Sequence, residues 1–470
     1  MSDRLSAADR GALTTEKGPI NMAMLGVIIL EAGPGVGYAA IRDRVAERIH
    51  LLPRYRQRLV ESSLGVTHPV WVDDEHFEIG WHVRSVALPA PGGEPELADW
   101  VAGEASRRMD RTRPLWELHV IEGLSEDRVA IVAKMHHALV DGLGAVGIAM
   151  VLVDPTPEPL PIDPPDAEWL PRRHDPKREL LRAAAGPLTG SARVFAKARR
   201  RALDRVLEAN PLGPFNDARR AAETLVALGR LRPEPPLLPF NRSISPNRSY
   251  AMTRFELAPL KQAAKANGAT INDAILTAVS GMLAGYLAAA GIELGELGGD
   301  PVALVPVSAR ERDDERGGNQ IAVVMVELPV AEPDPLARLA AVHLRMEKLK
   351  GSAELAAGAL RVEQGGIAPP FLASMLALAP ALGGRRMFNL VVSNVPGPQI
   401  PLWINGSSIQ AVHPVVPLNP ADQGLNVGVF SYNGTICCGI GADRDLDPPV
   451  ELARQALDAA IVELRAAAGS

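Results

Sequence analysis

The hydrophobic and polar positions of the first part of the chain alternate between strand-like and helical spacing. Residues 25–30 form a short apolar run typical of a strand, and residues 38–49 repeat apolar positions at helical spacing with charges on one side. Residues 129–135 (VAIVAKM) predict a second apolar strand, and residues 144–153 predict an apolar helix after it. This part is therefore predicted to be mixed α/β.

The alternation stops in the middle of the chain. Between residues 154 and 176 prolines recur every few positions, which argues against a regular helix or a central strand. A basic segment follows at residues 178–205, and a second proline-rich stretch closes the region at residues 233–239. From residue 249 the alternation resumes and ends in a predicted helix at residues 448–467.

This outline predicts two α/β domains joined by a connector. A chain of 470 residues is longer than one ordinary hydrophobic core accommodates, so two domains are expected. We place an N-terminal domain at residues 1–177, a basic and proline-rich connector at residues 178–240, and a C-terminal domain at residues 241–470.

Two apolar stretches are long enough to raise the question of membrane spans. In residues 274–292 small side chains interrupt the large apolar ones, and the polar pair Asn272 and Asp273 precedes them, so we predict a buried helix. The second stretch, residues 367–382, contains three prolines and is a weaker candidate.

Composition narrows the function further. The net charge of −6 argues against a general nucleic-acid binder, which needs a basic surface. The two cysteines, Cys437 and Cys438, are adjacent in a predicted strand and should face opposite ways, so we expect no disulfide and no cysteine-based metal site. This cysteine content mildly favours a cytoplasmic location. The first residues lack an apolar run behind a basic start, so no signal peptide is expected.

The segment HHALVDG carries the strongest candidate chemistry. It places His136 and His137 at the end of the strand predicted for residues 129–135, followed by Asp141 and Gly142. A histidine titrates near neutral pH and can act as a general base, and successive strand residues allow only one of the two to face a given cavity. Asp141 could hold the loop or the imidazole, and Gly142 permits a tight turn.

The segment HHALVDG also matches three other patterns. A histidine pair at a strand end is as often purely structural, and the residues alone leave that open. A metal site is disfavoured because the two rings point in opposite directions and no third ligand converges. Residues 142–147 match the dinucleotide pattern GxGxxG, but the acidic residue expected about 20 positions later would fall in the proline-rich stretch. Neither a GxSxG elbow nor a Walker loop occurs.

Two further motifs lie in the second half. Thr270 and Asp273 are predicted to form a capping box at the start of the apolar helix. For Asp273, capping alone is a sufficient role. Asn272 keeps its side-chain amide for other use, such as stabilising an oxyanion. The segment SNVPGP, at residues 393–398, follows a strand-like run at residues 388–392 and is predicted to break it.

Taken together and in order, these motifs resemble those of the bacterial wax ester synthase/diacylglycerol acyltransferases, within the CoA-dependent acyltransferases of chloramphenicol-acetyltransferase-like fold. The family motifs HHxxxDG, PLW, ND and SNVPGP stand here as His136 to Gly142, Pro114-Leu115-Trp116, Asn272-Asp273, and Ser393 to Pro398 with Asn394, Pro396 and Gly397 inside it. Weaker matches are residues 54–58, 82–84, 306–310 with 318–319, and 425–426.

The resemblance implies two chloramphenicol-acetyltransferase-like α/β domains with a channel between them. It implies that His137 is the base, with Asp141 supporting the loop through an ion pair for which Arg310 is a candidate partner. It further implies transfer of a long-chain acyl group from acyl-CoA to diacylglycerol or a long-chain alcohol. No metal, cofactor or covalent intermediate is expected, and the PLW and SNVPGP residues are expected to shape the structure or the channel.

Some positions depart from the family pattern. Arg10 replaces the usual aromatic residue after Asp9, Asn21-Met22 replaces the usual Met-His pair, and no glycine follows Asn241. These departures bear on the choice of acyl group or acceptor, and the sequence leaves diacylglycerol and fatty alcohol open.

The basic segment at residues 178–205 could contact a lipid surface. Its charges flank a possible apolar stripe of Val194, Phe195, Ala198 and Ala202, which suits peripheral contact with the inner face of a membrane or with lipid droplets. The same charges could instead meet the phosphates of CoA. Two alternatives remain open for the whole chain: an acyltransferase or condensation-type enzyme of secondary metabolism, and a non-catalytic lipid-binding protein.

Overall fold

The computed structural model of the chain describes residues 13, 16–60, 69–139, 148, 151–165, 167–172, 233–308, 321–357, 385–418 and 422–469. Of residues 137, 308, 321–323 and 350–357 it describes the backbone alone. The predictions for Asp141, Gly142 and Arg310, for the basic segment, for residues 367–382 and for most of the helix at 144–153 lie outside the described residues.

The described strands and helices follow the predicted alternation. The strands are β1 (Ala23–Glu31), β2 (Gln57–Val60), β3 (Val70–Asp73), β4 (Val83–Ala87), β5 (Trp116–Leu124), β6 (Arg128–His136), β7 (Arg248–Glu256), β8 (Val302–Ser308), β9 (Ile321–Glu327), β10 (Leu390–Pro396), β11 (Trp403–Ile404), β12 (Ser407–Val415), β13 (Leu425–Tyr432) and β14 (Thr435–Asp443). The helices are α1 (Tyr38–Arg48), α2 (Ile79–His82), α3 (Glu94–Ser106), α4 (Leu257–Ala266), α5 (Ile271–Ala289), α6 (Pro335–Ala357) and α7 (Val450–Ala467). The strands predicted at 25–30 and 129–135 and the helices predicted at 38–49 and 448–467 are confirmed.

Two six-stranded sheets form the centre of the protein, and helices pack against them. The first sheet has the order β11-β12-β1-β6-β5-β4, and the second has the order β7-β14-β13-β10-β8-β9. The predicted α/β class is confirmed. The strands β11 and β12 come from the second half of the chain, and β12 pairs antiparallel with β1, with Leu25 opposite Val415. The first sheet therefore crosses the predicted domain division, whose boundaries at 177 and 240 stay predictions.

The helix α5 lies in the core of the second half. Among the described residues it is the one helix that is long and apolar enough to cross a membrane, and 67% of its most apolar window is buried inside the protein. Its small residues have a packing role, because a Cβ on Gly281 or Gly285 would crowd Ala460 or Ala456 of α7. The helix predicted at 274–292 is thus confirmed as a buried one.

The side chains of the two adjacent cysteines point into different hydrophobic cores. Cys437 and Cys438 are both buried and free. Cys437 packs in the core of the first sheet, and Cys438 packs in the core of the second. The opposed directions predicted for them are confirmed, and burial raises the pKa of both thiols.

Candidate active site

The histidine pair stands where β6 ends. His136 is the last residue of β6, and His137 opens a short 3₁₀ turn that runs to Leu139. The backbone N–H of His136 donates to the carbonyl of Leu115 at 3.0 Å, and the N–H of Ala138 donates to His136 Nδ1 at 3.0 Å. The His136 side chain is completely buried, so its ring holds the backbone of the turn and does not face solvent.

The PLW residues form the support beneath this turn. Trp116 is fully buried, and its indole N–H donates to the Tyr55 carbonyl at 2.7 Å. Its ring stacks on His82 with centroids 4.5 Å apart, and the neighbouring residue Leu115 accepts the hydrogen bond from His136. Two weaker sequence matches, residues 54–58 and 82–84, thus meet PLW at one place, where they fix the strand end that carries the histidines.

His82 is held in its neutral form. Burial lowers the pKa of this imidazole to about 4, although its hydrogen bond with the Trp116 carbonyl at 2.7 Å and nearby acidic groups act in the opposite direction. A neutral ring with its Nδ1–H on the carbonyl suits a position stacked in an aromatic cluster.

An ion pair that the sequence did not reveal lies on the other side of His136. Glu16 Oε2 accepts from Arg111 Nη2 at 2.8 Å and lies 3.5 Å from His136 Nε2. Its second oxygen accepts from the N–H of Met22 at 3.0 Å. Burial alone would raise the pKa of Glu16, but the His136 ring, the Met22 amide and Arg111 outweigh it and lower the pKa to about 2. Glu16 is therefore a carboxylate at every working pH.

The two halves of the chain meet beside this ion pair. The backbone N–H of Arg248, the first residue of β7, donates to Ser106 Oγ at 2.8 Å. The guanidinium of the same residue donates to the carbonyl of Pro19 at 2.6 Å. The segment that contains Glu16 is thus tied directly to the second half.

The ND motif lies at the start of α5. Thr270 accepts from the N–H of Asp273 at 3.2 Å, and Asp273 accepts from the N–H of Thr270 at 2.9 Å, which confirms the capping box. Asp273 also accepts from His343 Nδ1 of α6 at 2.8 Å, a partner that the sequence analysis missed. The Asp273 carboxylate is fully buried, so it joins two helices as well as capping one.

Asn272 contacts the SNVPGP motif. The side-chain N–H of Asn394 donates to the side-chain oxygen of Asn272 at 3.1 Å. This bond uses the acceptor end of Asn272 and leaves its NH₂ group without a partner among the described residues. The structure thus brings together the ND and SNVPGP motifs, which are more than a hundred residues apart in the sequence.

The prediction that SNVPGP breaks the strand is wrong for its first four residues. The strand β10 runs through Ser393 and Asn394 and ends only at Pro396, paired along its length with β13. The neighbour on its other side, β8, pairs only with Leu390 and Val391. Because no described strand pairs with that side of β10 beyond Val391, a proline without an N–H is tolerated there.

Gly397 then turns the chain away from the sheet. Its N–H donates to the Ser431 carbonyl at 2.9 Å. A Cβ at this position would collide with that carbonyl and with the ring of Phe430. The weak match at Leu425-Asn426 supports the same strand, since Asn426 Oδ1 accepts from the N–H of Val391 at 2.8 Å.

A buried acidic cluster surrounds Lys134, which lies two residues before His136 on β6. Glu104, Glu117 and His119 bring their ligand atoms within 4.8 Å of one another, a donor set that could hold a cation. The ammonium of Lys134 lies within this group, 2.8 Å from Glu104 Oε1, and supplies the positive charge. Burial would raise the pKa of Glu117, but His119 and Lys134 outweigh it and lower the pKa. We therefore interpret the cluster as an ion-pair network.

Family comparison points to one class of enzyme. The profile of the wax ester synthase/diacylglycerol acyltransferase catalytic domain matches residues 5–275, and that of the family's C-terminal domain matches residues 317–465. A Mycobacterium tuberculosis (strain H37Rv) protein, provisionally named as a diacylglycerol O-acyltransferase, is 33% identical over 458 residues, covering 95% of this chain and 87% of that protein.

Solved structures agree with this comparison. The wax ester synthase/diacylglycerol acyltransferase of Marinobacter aquaeolei VT8 superimposes with a TM-score of 0.70 at 26% identity, covering 100% of both chains. The starter condensation domain of rhizomide synthetase superimposes with a TM-score of 0.58 at 15% identity, covering 100% of this chain and 95% of that one, which shows a shared fold.

Proposed function

The chain belongs to the wax ester synthase/diacylglycerol acyltransferase family, and we propose that it transfers a long-chain acyl group from acyl-CoA with His137 as general base. The acceptor is the hydroxyl of diacylglycerol, giving triacylglycerol, or of a fatty alcohol, giving a wax ester. Both family profiles match, one to each half of the chain, so neither a secondary-metabolism enzyme nor a non-catalytic lipid binder is favoured.

The environment of His136 is the observation that carries the choice of base. Its ring is fully buried, its Nδ1 accepts from Ala138, and its Nε2 faces the carboxylate of Glu16. A general base must reach the proton that it removes, which His136 cannot do from this position. His137 is therefore the proposed base. It lies in a turn whose backbone is held by hydrogen bonds to the His136 ring and to the Leu115 carbonyl.

The proposed reaction is a direct attack. His137 takes the proton of the acceptor hydroxyl while that oxygen attacks the thioester carbonyl of acyl-CoA. The tetrahedral oxyanion then collapses, the carbon–sulfur bond breaks, and His137 returns the proton to the CoA thiolate. No covalent acyl-enzyme and no cofactor take part. A positioned base contributes about 10²–10⁴-fold to such a step.

Asn272 is the proposed donor to the oxyanion. Asn394 occupies its side-chain oxygen, so the NH₂ group is turned away from that bond and can donate. An amide at the start of a helix also benefits from the positive end of the helix dipole. In this proposal Asp141 holds the loop after His137 through an ion pair with Arg310.

We propose a cytoplasmic location with peripheral contact to a membrane or lipid-droplet surface, because the acceptors are lipids. The basic segment at residues 178–205 is the candidate for this contact. Flotation with anionic liposomes tests it. A protein with Arg199, Arg200 and Arg201 changed to Glu should bind less, and equal binding would count against the segment.

An acceptor panel tests the reaction. Purified wild-type protein and His137→Ala receive one long-chain acyl-CoA with diacylglycerol, with hexadecanol, or with no acceptor, and thiol release and lipid products are followed. Wild type should form ester only with an acceptor, and His137→Ala should lose about 10²–10⁴-fold in rate with unchanged melting. Near-normal turnover by His137→Ala would contradict the base, and a thiol burst without acceptor would contradict direct attack.

A further inference from the structure

The turn that carries His137 is held by a chain of polar contacts that begins near the start of the protein. The Arg111 guanidinium donates to the carbonyl of Leu13 at 2.9 Å and to Glu16 Oε2 at 2.8 Å. Glu16 faces Nε2 of His136, and Nδ1 of the same ring accepts from the N–H of Ala138. Each contact in this series is between buried or partly buried groups.

The hydrogen bond from Ala138 determines which nitrogen of the His136 ring carries the proton. A nitrogen that accepts a backbone N–H cannot itself carry a proton, so the ring proton must be on Nε2. His136 Nε2 lies 3.5 Å from Glu16 Oε2, an ionic contact that is longer than a normal hydrogen bond. The other tautomer would place two N–H groups, those of Nδ1 and Ala138, against each other.

Arg111 and the N–H of Met22 hold the Glu16 carboxylate in place beside His136. Arg111 Nη2 donates to Glu16 Oε2, and the Met22 N–H donates to Glu16 Oε1. With both oxygens held, the carboxylate stays where it favours a proton on Nε2 of the neighbouring ring.

We propose that Glu16 is a positioning residue for the reaction: with Arg111 it sets the tautomer of His136, and His136 in turn sets the backbone of the turn that presents His137. This proposal rests on the proposed role of His137. Glu16 itself touches neither substrate nor base in this scheme. Its action is indirect, so its loss should affect the rate of the chemical step and not the binding of acyl-CoA.

Glu16→Gln separates charge from size. Glutamine can present an N–H to Nε2 of His136, which favours the tautomer that clashes with Ala138. We expect kcat to fall about 10- to 100-fold, as when a group that orients a metal-bound histidine is removed, with KM for acyl-CoA near the wild-type value. Glu16→Asp keeps the charge and should recover part of the rate.

Glu117→Gln is the matched control. Glu117 is a buried glutamate beside a histidine, with Oε2 3.2 Å from His119 Nε2. Among the described residues it has no hydrogen bond or ion pair with the turn at His137–Leu139. It should alter the melting temperature by a similar amount while kcat stays near wild type. The comparison distinguishes a specific effect on His137 from general destabilisation.

Histidine tautomers are read directly by long-range nitrogen–proton NMR correlation of histidine-labelled protein, with His136→Gln identifying the signal. The wild type should show His136 with the proton on Nε2, and Glu16→Gln should show the other tautomer or a mixture. This readout is independent of activity, so it stands even if diacylglycerol and fatty alcohols prove not to be acceptors.

Two results would overturn the proposal. One is a Glu16→Gln protein that keeps the Nε2–H tautomer and the wild-type kcat. The other is an equal loss of activity in Glu16→Gln and Glu117→Gln that follows the folded fraction. Should Glu16→Gln not fold, Arg111→Lys and Glu16→Asp carry the same comparison, because both keep the charges and alter the geometry.

Discussion

The side-chain amide of Asn394 donates a hydrogen bond of 3.1 Å to the side-chain oxygen of Asn272, across 122 positions of the sequence. The first residue lies on β10 and the second at the start of α5. A primary amide can rotate by half a turn and exchange its donor and acceptor ends. In the observed arrangement Asn394 is the donor, so the oxygen of Asn272 points towards Asn394 and its NH₂ group points away.

Replacing Asn272 should therefore lower kcat more than replacing Asn394 does. Asn272→Ala removes the proposed oxyanion donor and should cost about 10²–10³-fold in kcat, whereas Asn394→Ala leaves the donor present but unoriented and should cost less. Single-turnover rates with a long-chain acyl-CoA measure both. Asn267→Ala, at the end of α4, is the control and should retain the wild-type rate. Equal losses in the two variants would contradict the division of roles.

The neutral His82 predicts an acid sensitivity of the fold. Its pKa is about 4 in the folded protein against 6.5 for the free side chain, so the unfolded chain binds a proton more readily. Stability due to this residue is fully present above pH 6.5 and is lost as the pH falls towards 4. His82→Gln keeps a donor for the Trp116 carbonyl and cannot titrate in this range.

Urea unfolding at pH 7 and pH 5 measures the effect. Wild type should lose about 2 kcal/mol more of its free energy of unfolding between these pH values than His82→Gln does. His50→Gln, at a partly exposed position, should behave like wild type. Parallel losses in wild type and His82→Gln would show that His82 is not the group responsible.

Asp154 is the centre of a buried charge network at the start of the proline-rich stretch. It accepts from Arg44 Nη2 at 2.5 Å and from Arg48 Nη1 at 3.5 Å, and Arg44 also donates to Asn405 at 2.6 Å. Asp154→Ala would leave both guanidinium groups buried without their partner. We expect a loss of about 3–5 kcal/mol in the free energy of unfolding.

A double-mutant cycle checks the origin of that loss. Arg44→Met combined with Asp154→Ala should cost less than the sum of the single changes, because the second change removes a charge that the first left unpaired. Asp43→Ala breaks an exposed ion pair with Arg42 and should leave the urea midpoint unchanged. Strict additivity of the two buried changes would argue against a direct ion pair.

Gly397→Ala should disturb the end of β10. The added methyl group meets a backbone carbonyl, that of Ser431, which cannot rotate away as a side chain can. Overpacking of this kind costs about 1–3 kcal/mol, and the shift of β10 should also lower kcat through Asn394. Gly299→Ala, where a methyl group meets open space, is the control for thermal melting and for activity. A Gly397→Ala protein with wild-type melting and rate would refute the crowding argument.

Much of the site could be predicted because its signals are local. The apolar run 129–135 placed the histidine pair at a strand end, and Thr270 with Asp273 formed the capping box that their spacing required. Adjacent cysteines in a strand had to point to opposite faces. In each case the physical rule acts over a few residues, so the sequence alone contains it.

The remaining contacts join distant segments and leave no such signal. Glu16 meets Arg111 and His136 only after the chain has folded, and its sequence neighbours give no sign of a buried carboxylate. The strand β10 can extend through SNVPGP because β13 pairs with it on one side, while β8, on the other side, pairs only as far as Val391. No local sequence pattern reveals this arrangement. Similarly, His343 reaches Asp273 from another helix.

The pairing of β12 with β1 also sets an order of events during synthesis. The strand β1 is made before its partner, because the region around Val415 leaves the ribosome nearly 390 residues after Leu25. Until then one edge of β1 has its backbone groups unpaired, an arrangement that invites pairing with other chains. The first part of the protein therefore cannot complete its sheet while it is being translated, and its folding must wait for the second.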